Sequence, residues 1–183
     1  MALHEVRRAA PGDAAGIARV HVRGWQVGYR GLLPDAVLDA LSVEQRTVGW
    51  RDRLTHPDPT GATTLVAVAG AEVLGFASLG LTRDDDAPAG TGELWALYVD
   101  PDRWRHGTGR ALEGAAALEL AGTGAVVMTL WVLTANARAR AFYERCGWSA
   151  DGTTRVDLRE DPAPVALVET RYARALHGPR QPT

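Results

Sequence analysis

One stretch limits the fold more than any other. Glu93 to Val99 is a strongly apolar strand, Pro101 stops it, and Gly107-Thr108-Gly109 leads into a helix from about Arg110 to Ala121. A glycine turn between a buried strand and a helix gathers unpaired N–H groups at the positive end of the helix dipole, which suits a phosphate. Arg105 and Arg110 flank the turn and strengthen the anion-binding reading, although a purely structural glycine turn has the same form. The nucleotide fingerprints do not fit. Leu112 stands where a dinucleotide motif needs its third glycine, and no Gly-Lys-Ser/Thr follows for a P-loop.

The flanking segments complete an α/β pattern. His4 to Arg8 alternates as a strand, and Pro11-Gly12-Asp13 turns it into a helix from Ala14 whose end loosens at Gly28 and Gly31, with a break near Leu32. Pro34 suits a first helical turn, and Val37, Leu38 and Leu41 make a short apolar stripe. Ser42 to Gln45 then reads as a capping box opening a second helix through Leu54. His56 to Gly61 is a loop, Thr63 to Ala69 and Glu72 to Leu81 form a hairpin, and Arg83 to Gly92 is an exposed loop. Asp84 to Asp86 within it reads as a solvated acidic run, with reception of a cationic substrate as the competing use. Ala125 to Val132 is a buried strand, Asn136 to Arg145 a helix closed by Gly147, and Thr153 to Leu158 and Val165 to Tyr172 are the last strands. The order β-α-α-β-β-β-α-β-α-β-β predicts a mixed α/β sheet flanked by helices, without internal repeats. We expect one domain over residues 1–176 and a flexible tail over 177–183.

With 183 residues and 46% hydrophobic content, the chain is long enough for one real core. The formal net charge of -2 gives no global field for nucleic acid or an anionic membrane, so neither is expected as a partner. A single cysteine, Cys146, excludes an intramolecular disulfide, and no apolar run is long enough to span a bilayer. With no signal-peptide pattern at the start, a cytoplasmic location is expected. His4, His21, His56, His106 and His177 are scattered without metal-ligand spacing, so no metal is expected. No base is guaranteed beside Cys146, which reads as a structural thiol rather than an acyl carrier.

The segment Glu93 to Leu112, ELWALYVDPDRWRHGTGRAL, resembles the acetyl-CoA motif of the GNAT N-acetyltransferase superfamily. Asn136 to Trp148, NARARAFYERCGW, is similar to that family's following helix, with Asn136, Ala139, Tyr143, Gly147 and Trp148 in register. His4 to Trp25 and YRGLLPD from Tyr29 resemble the opening of many bacterial members, and the likeness is weakest after Ala150. The resemblance implies a mostly antiparallel sheet with one splayed strand pair. It implies that backbone groups of Leu97, Tyr98 and Val99 meet the pantetheine arm and thioester, and that Arg105, His106, Gly107, Thr108, Gly109 and Arg110 wrap the pyrophosphate. Trp104 departs from the pattern, since the family often has Gln or Arg there. A homodimer through the C-terminal strands is implied only by the same resemblance.

Acetyl transfer needs a neutral amine, a polarised thioester carbonyl and a proton for the departing thiolate. By resemblance, Tyr143 is the tyrosine that protonates or hydrogen-bonds the sulfur; packing alone is its competing use. Asn136 is a helix cap, a cofactor contact, or both. Glu93 stands where some members place a catalytic glutamate, acting directly or through water. Trp131 occupies the place of the alternative glutamate on the next strand. His21, Trp25 and Tyr29 recur at four-residue spacing and would share a helix face that is either core or acceptor pocket, and Trp95 could line the same slot. These residues imply an acetyltransferase acting on a small-molecule or peptide amine in a ternary complex. A non-catalytic acyl-CoA sensor on the same fold is the competing reading. Polyamine, aminoglycoside, amino acid, herbicide-like amine and protein N-terminus or lysine all remain open as acceptors, and so does a longer acyl donor.

Overall fold

In the computed structural model, which describes residues 4–56, 61–160 and 163–176, seven strands form one sheet in the order β1-β2-β3-β4-β5-β7-β6. The chain runs β1 (Glu5–Arg8), a 3₁₀ turn at Pro11–Asp13, then α1 (Ala14–Gly28), α2 (Asp35–Asp39) and α3 (Val43–Thr55). It continues through β2 (Thr63–Ala69), β3 (Glu72–Leu81), β4 (Thr91–Val99), a 3₁₀ turn at Pro101–Arg103, α4 (Thr108–Gly122) and β5 (Val127–Leu133). The last elements are α5 (Ala137–Arg145), β6 (Ser149–Arg159) and β7 (Val165–Ala175). Every pairing is antiparallel except β4 with β5. No helix among the described residues is long and apolar enough to cross a membrane.

The elements expected from the sequence are present, with one addition. The stripe Val37, Leu38 and Leu41 folds as the separate helix α2, because Val37 and Leu38 bury while Pro34 fixes the residue ahead of the first turn. Ser42 caps α3 by accepting a hydrogen bond from the Gln45 N–H at 3.2 Å. Residues 57–60 of the expected loop and the tail from residue 177 lie outside the described residues.

Two apolar layers cover the sheet. On one face Leu112, Ala116 and Leu120 of α4 pack on Leu79, Leu94, Met128 and Leu130. On the other, Ile17, Ala18 and Val20 of α1 meet Val66, Val73 and Phe76, with Trp50 of α3 closing the edge. The acidic run Asp84 to Asp86 is solvated at Asp85 and Asp86, as read, but the Asp84 side chain is buried. Arg171 of β7 grips Asp86 with two hydrogen bonds of 2.7 and 2.9 Å, pairs with Asp84 at 3.3 Å, and donates to Asp151 at 2.6 Å. Burying an arginine needs several carboxylates to replace its hydration, and this loop supplies two of them.

Candidate active site

The feature that makes a site is the failure of β4 and β5 to stay together. They pair only from Thr91–Glu93 against Val127–Thr129, and beyond that the β4 edge facing β5 has no strand partner. A bulge contributes. Ser78 pairs with Ala96 while Leu79 pairs with Leu94, so Trp95 is an extra residue that bends the strand. Its indole lies over Gly80, where an added Cβ would fall 2.5 Å from the ring, and under the Arg83 guanidinium at 4.8 Å.

A cavity of about 660 Å³ fills the opening, lined by β4 from Leu94 to Val99, the start of α4, one face of α5 and parts of α1, β5 and β7. At its α4 end, Gly107 has φ +85 and N-caps the helix; Arg105 has φ +65. The first intrahelical bond runs from the Ala111 N–H to the Gly107 carbonyl, so the N–H groups of Thr108, Gly109 and Arg110 have no helical acceptor. Arg105 and Arg110 line the cavity and have no carboxylate partner among the described residues. The preceding turn is anchored by buried Asp100, which accepts from Arg23 at 2.9 and 3.0 Å and from Arg19 at 3.4 Å. Of the expected phosphate-loop residues, Gly107, Gly109, Arg105 and Arg110 line the cavity; His106 is exposed outside the lining, and the Thr108 side chain is buried beneath it.

Trp104, the departure from the family pattern, has a definite job. Its indole donates to the Val99 carbonyl at 2.9 Å, and Arg138 of α5 stacks on the ring with its guanidinium carbon 3.7 Å from the centroid. Val99 therefore enters the site with its carbonyl already taken, and the backbone groups of Leu97 face the same open edge; those of Tyr98 turn toward β3, against the expectation, because Asp100 two residues on donates to the Leu74 carbonyl and strand backbone groups alternate sides. Asn136 caps α5 by accepting from the Ala139 N–H at 3.0 Å and also lines the cavity.

Tyr143 of α5 lies in the wall and makes no side-chain hydrogen bond among the described residues. Burial pushes its phenol pKa upward, so the hydroxyl stays protonated across the neutral range. Tyr98 is the hub of the opposite wall. Its hydroxyl receives the Trp25 indole N–H at 2.9 Å and lies 3.4 Å from the Tyr29 hydroxyl. Trp25 and Tyr29 thus reach the cavity, but His21 does not: it stacks on Tyr98 at 5.0 Å inside the core, where burial lowers its pKa to about 3.

Glu93 sits on the expected strand but outside the cavity lining. It is 1% exposed, and its carboxylate is closed by Arg83, which donates from its backbone N–H and from Nη2, each at 2.9 Å. The carboxylate that does line the cavity is Glu169 of β7, which sequence reasoning missed. Its Oε2 is held by Nε and Nη2 of Arg155, both at 2.9 Å. Burial raises its pKa and Arg155 works against that rise. Cys146 is half-buried, and its thiol pKa is raised chiefly by burial, which keeps it in the unreactive form.

The model of the acetyltransferase (GNAT) family matches residues 25–148, which supply most of the cavity's lining. The chain belongs to the GNAT acetyltransferase family. It is 34% identical over 131 residues to the uncharacterized N-acetyltransferase YuaI of Bacillus subtilis, covering 72% of each chain. The PaiA N-acetyltransferase of Thermoplasma acidophilum, solved with coenzyme A, superposes with a TM-score of 0.70 at 19% identity, over 94% of this chain and 99% of that one. YncA of Salmonella typhimurium, solved with acetyl-CoA, gives 0.67 at 21% identity over 98% of both chains. As a GNAT member the chain is an acetyl-CoA-dependent acyltransferase. Its sheet, split after Thr129, is the mostly antiparallel GNAT arrangement.

Proposed function

We propose that this acetyltransferase moves the acetyl group of acetyl-CoA to a primary amine by direct attack, with both substrates held together in the split between β4 and β5. The observation that carries the reading is the meeting of three features in one cavity: the unpaired β4 edge, the bare α4 N-terminus and the hydroxyl of Tyr143. The N–H groups from Gly107 to Arg110, with Arg105 and Arg110, hold the pyrophosphate. Backbone groups of Leu97 and the N–H of Val99, on the open edge, align the pantetheine arm and thioester as an added strand would. Asn136 adds a polar contact at the α5 cap. The amine nitrogen attacks the acetyl carbon, the C–S bond breaks, and Tyr143 donates its proton toward the departing sulfur, most of the acceleration coming from alignment. A homodimer is supported by an apolar strip on the outer face of the β6–β7 hairpin, where exposed Val156 and Val168 are cross-strand partners and Leu158 lies beside them.

Thiol release from acetyl-CoA across an amine panel tests the reading. The chain contains no lysine, so release without added amine cannot come from acetylation of its own side-chain amines. Tyr143→Phe should lower kcat about 10²- to 10⁴-fold and leave coenzyme A affinity unchanged. Coenzyme A binding without turnover on any amine would favour the sensor reading instead.

A further inference from the structure

We infer that Glu169 receives the acceptor's ammonium group and takes its proton, and that the acceptor is a small primary amine carrying one positive charge on an apolar or aromatic body. The inference rests on the transfer reaction proposed above and adds the base and the acceptor class. Glu169 is the only carboxylate lining the cavity among the described residues, against six arginines. Arg155 engages Oε2 alone, leaving Oε1 without a hydrogen-bond partner among the described residues. The register explains the placement. Glu169 pairs across the sheet with Leu133, the last residue of β5, where β4 and β5 are already apart. Arg155 is in turn 3.8 Å from Asp84 and stacks on Trp131 at 4.2 Å, so the carboxylate is fixed by a braced cation.

The rest of the wall sets the acceptor class. Leu33, Leu133, Leu167, Trp25, Tyr29 and Tyr98 offer apolar and aromatic surface with few polar contacts. One carboxylate can neutralise one ammonium. A second or third ammonium, as on a polyamine or an aminoglycoside, would find no further carboxylate in the lining, and Asp157, which faces Glu169 from outside it, is already paired with Arg159. In the step, the ammonium passes a proton to Glu169 Oε1 and the freed lone pair forms the N–C bond. The C–S bond breaks, and its electron pair leaves with the sulfur and takes the proton of Tyr143. The nitrogen, now bonded to the acetyl carbon, gives up its second proton, which reprotonates Tyr143 through water as the amide forms; Glu169 releases its proton to solvent, so the products are the amide, the thiol and one proton.

The test uses the whole chain with 2-phenylethylamine, tyramine, spermidine and kanamycin as probes, following thiol release, coenzyme A binding and the thermal midpoint. The wild type should turn over the two aromatic amines with kcat/KM at least tenfold above the polycations. Glu169→Gln should keep its midpoint and coenzyme A affinity, lose at least a hundredfold in kcat, and lose the acidic limb of the kcat profile. The groups facing Glu169 are Arg155, Asp157 and Arg159 from β6, Tyr29 after α1 and Tyr98 from β4. Removing the cation with Arg155→Met should therefore move the acidic limb to higher pH, a shift that loss of packing alone would not produce. Should Glu169→Gln fold poorly, Glu169→Asp keeps the charge, and it should retain the limb with a lowered kcat. A wild type active on amines with an unchanged limb in Glu169→Gln overturns the base assignment. A preference for spermidine or kanamycin overturns the acceptor class. No release by the wild type on any probe, with coenzyme A still bound, overturns the transfer reading itself and this inference with it.

Discussion

Gly107→Ala separates two ways in which the phosphate loop can hold its shape. Gly107 has φ +85, and a Cβ placed there meets nothing within 4 Å, so the substitution introduces backbone strain without a clash. Holding an alanine in the left-handed region costs about 1–2 kcal/mol relative to a relaxed backbone. If the loop keeps its form, that strain lowers the stability of the free protein, and coenzyme A binds as before. For a chain of this length the thermal midpoint would fall roughly 2–8 °C. If the loop relaxes instead, the free protein melts near the wild type and binding must restore the strained form. Affinity then weakens by no more than the same strain, about 5- to 30-fold. Either way, the complex with coenzyme A carries the full 1–2 kcal/mol relative to the unfolded chain. Calorimetric titration and melting with and without saturating coenzyme A read both terms. Gly114→Ala, in the interior of α4 where a Cβ also meets nothing, is the control and should stabilise by about 0.5–1 kcal/mol. A Gly107→Ala complex as stable as the wild-type complex would refute the claim that the bound loop requires a positive φ at this position.

Two further substitutions probe the packing that supports the site. The pKa of His21 is lowered from 6.5 to about 3, so the unfolded chain binds a proton that the fold rejects between those values. Stability therefore falls as pH drops through 6.5, by about 2 kcal/mol on reaching pH 5. His21→Phe keeps the ring stack on Tyr98 and should abolish that part of the decline; urea midpoints at pH 7.5 and 5 that fall equally in both proteins would contradict the assignment. Trp104→Phe removes the indole N–H from the Val99 carbonyl while leaving a ring under Arg138, and should cost about 1 kcal/mol in chemical denaturation. Its coenzyme A affinity should stay within about threefold if the loop's N–H groups carry the phosphate contact, and a larger loss would assign Trp104 a direct share in binding.

What could be read from the sequence followed the range of the interaction. The strand, glycine turn and helix from Glu93 to Ala121 are local, each set by periodicity or by a residue with special backbone freedom, and they appear in the fold nearly where the pattern puts them. The Asn136 cap is equally local. Trp104 was harder, since it sits in the turn before α4 while its partner Arg138 lies on α5, and nothing between them signals the stack. The two glutamates show where local reading ends. Glu93 drew attention because its position in a motif was visible, yet its charge is consumed by Arg83, ten residues away across the β3–β4 connection. Glu169 lies in VALVETRY, where alternation puts it on the same face as Leu167, and a lone acid in such a strand reads as an ordinary solvated position. Its standing depends on β7 being inserted between β5 and β6, which sets Leu133 on one side of it and Arg155 on the other. That insertion is a property of the sheet order alone. An acid that packs beside Leu133 of one strand and is ion-paired to Arg155 of another acquires its chemistry only when the sheet closes, so a search for catalytic carboxylates in such chains gains from the strand packed behind the split.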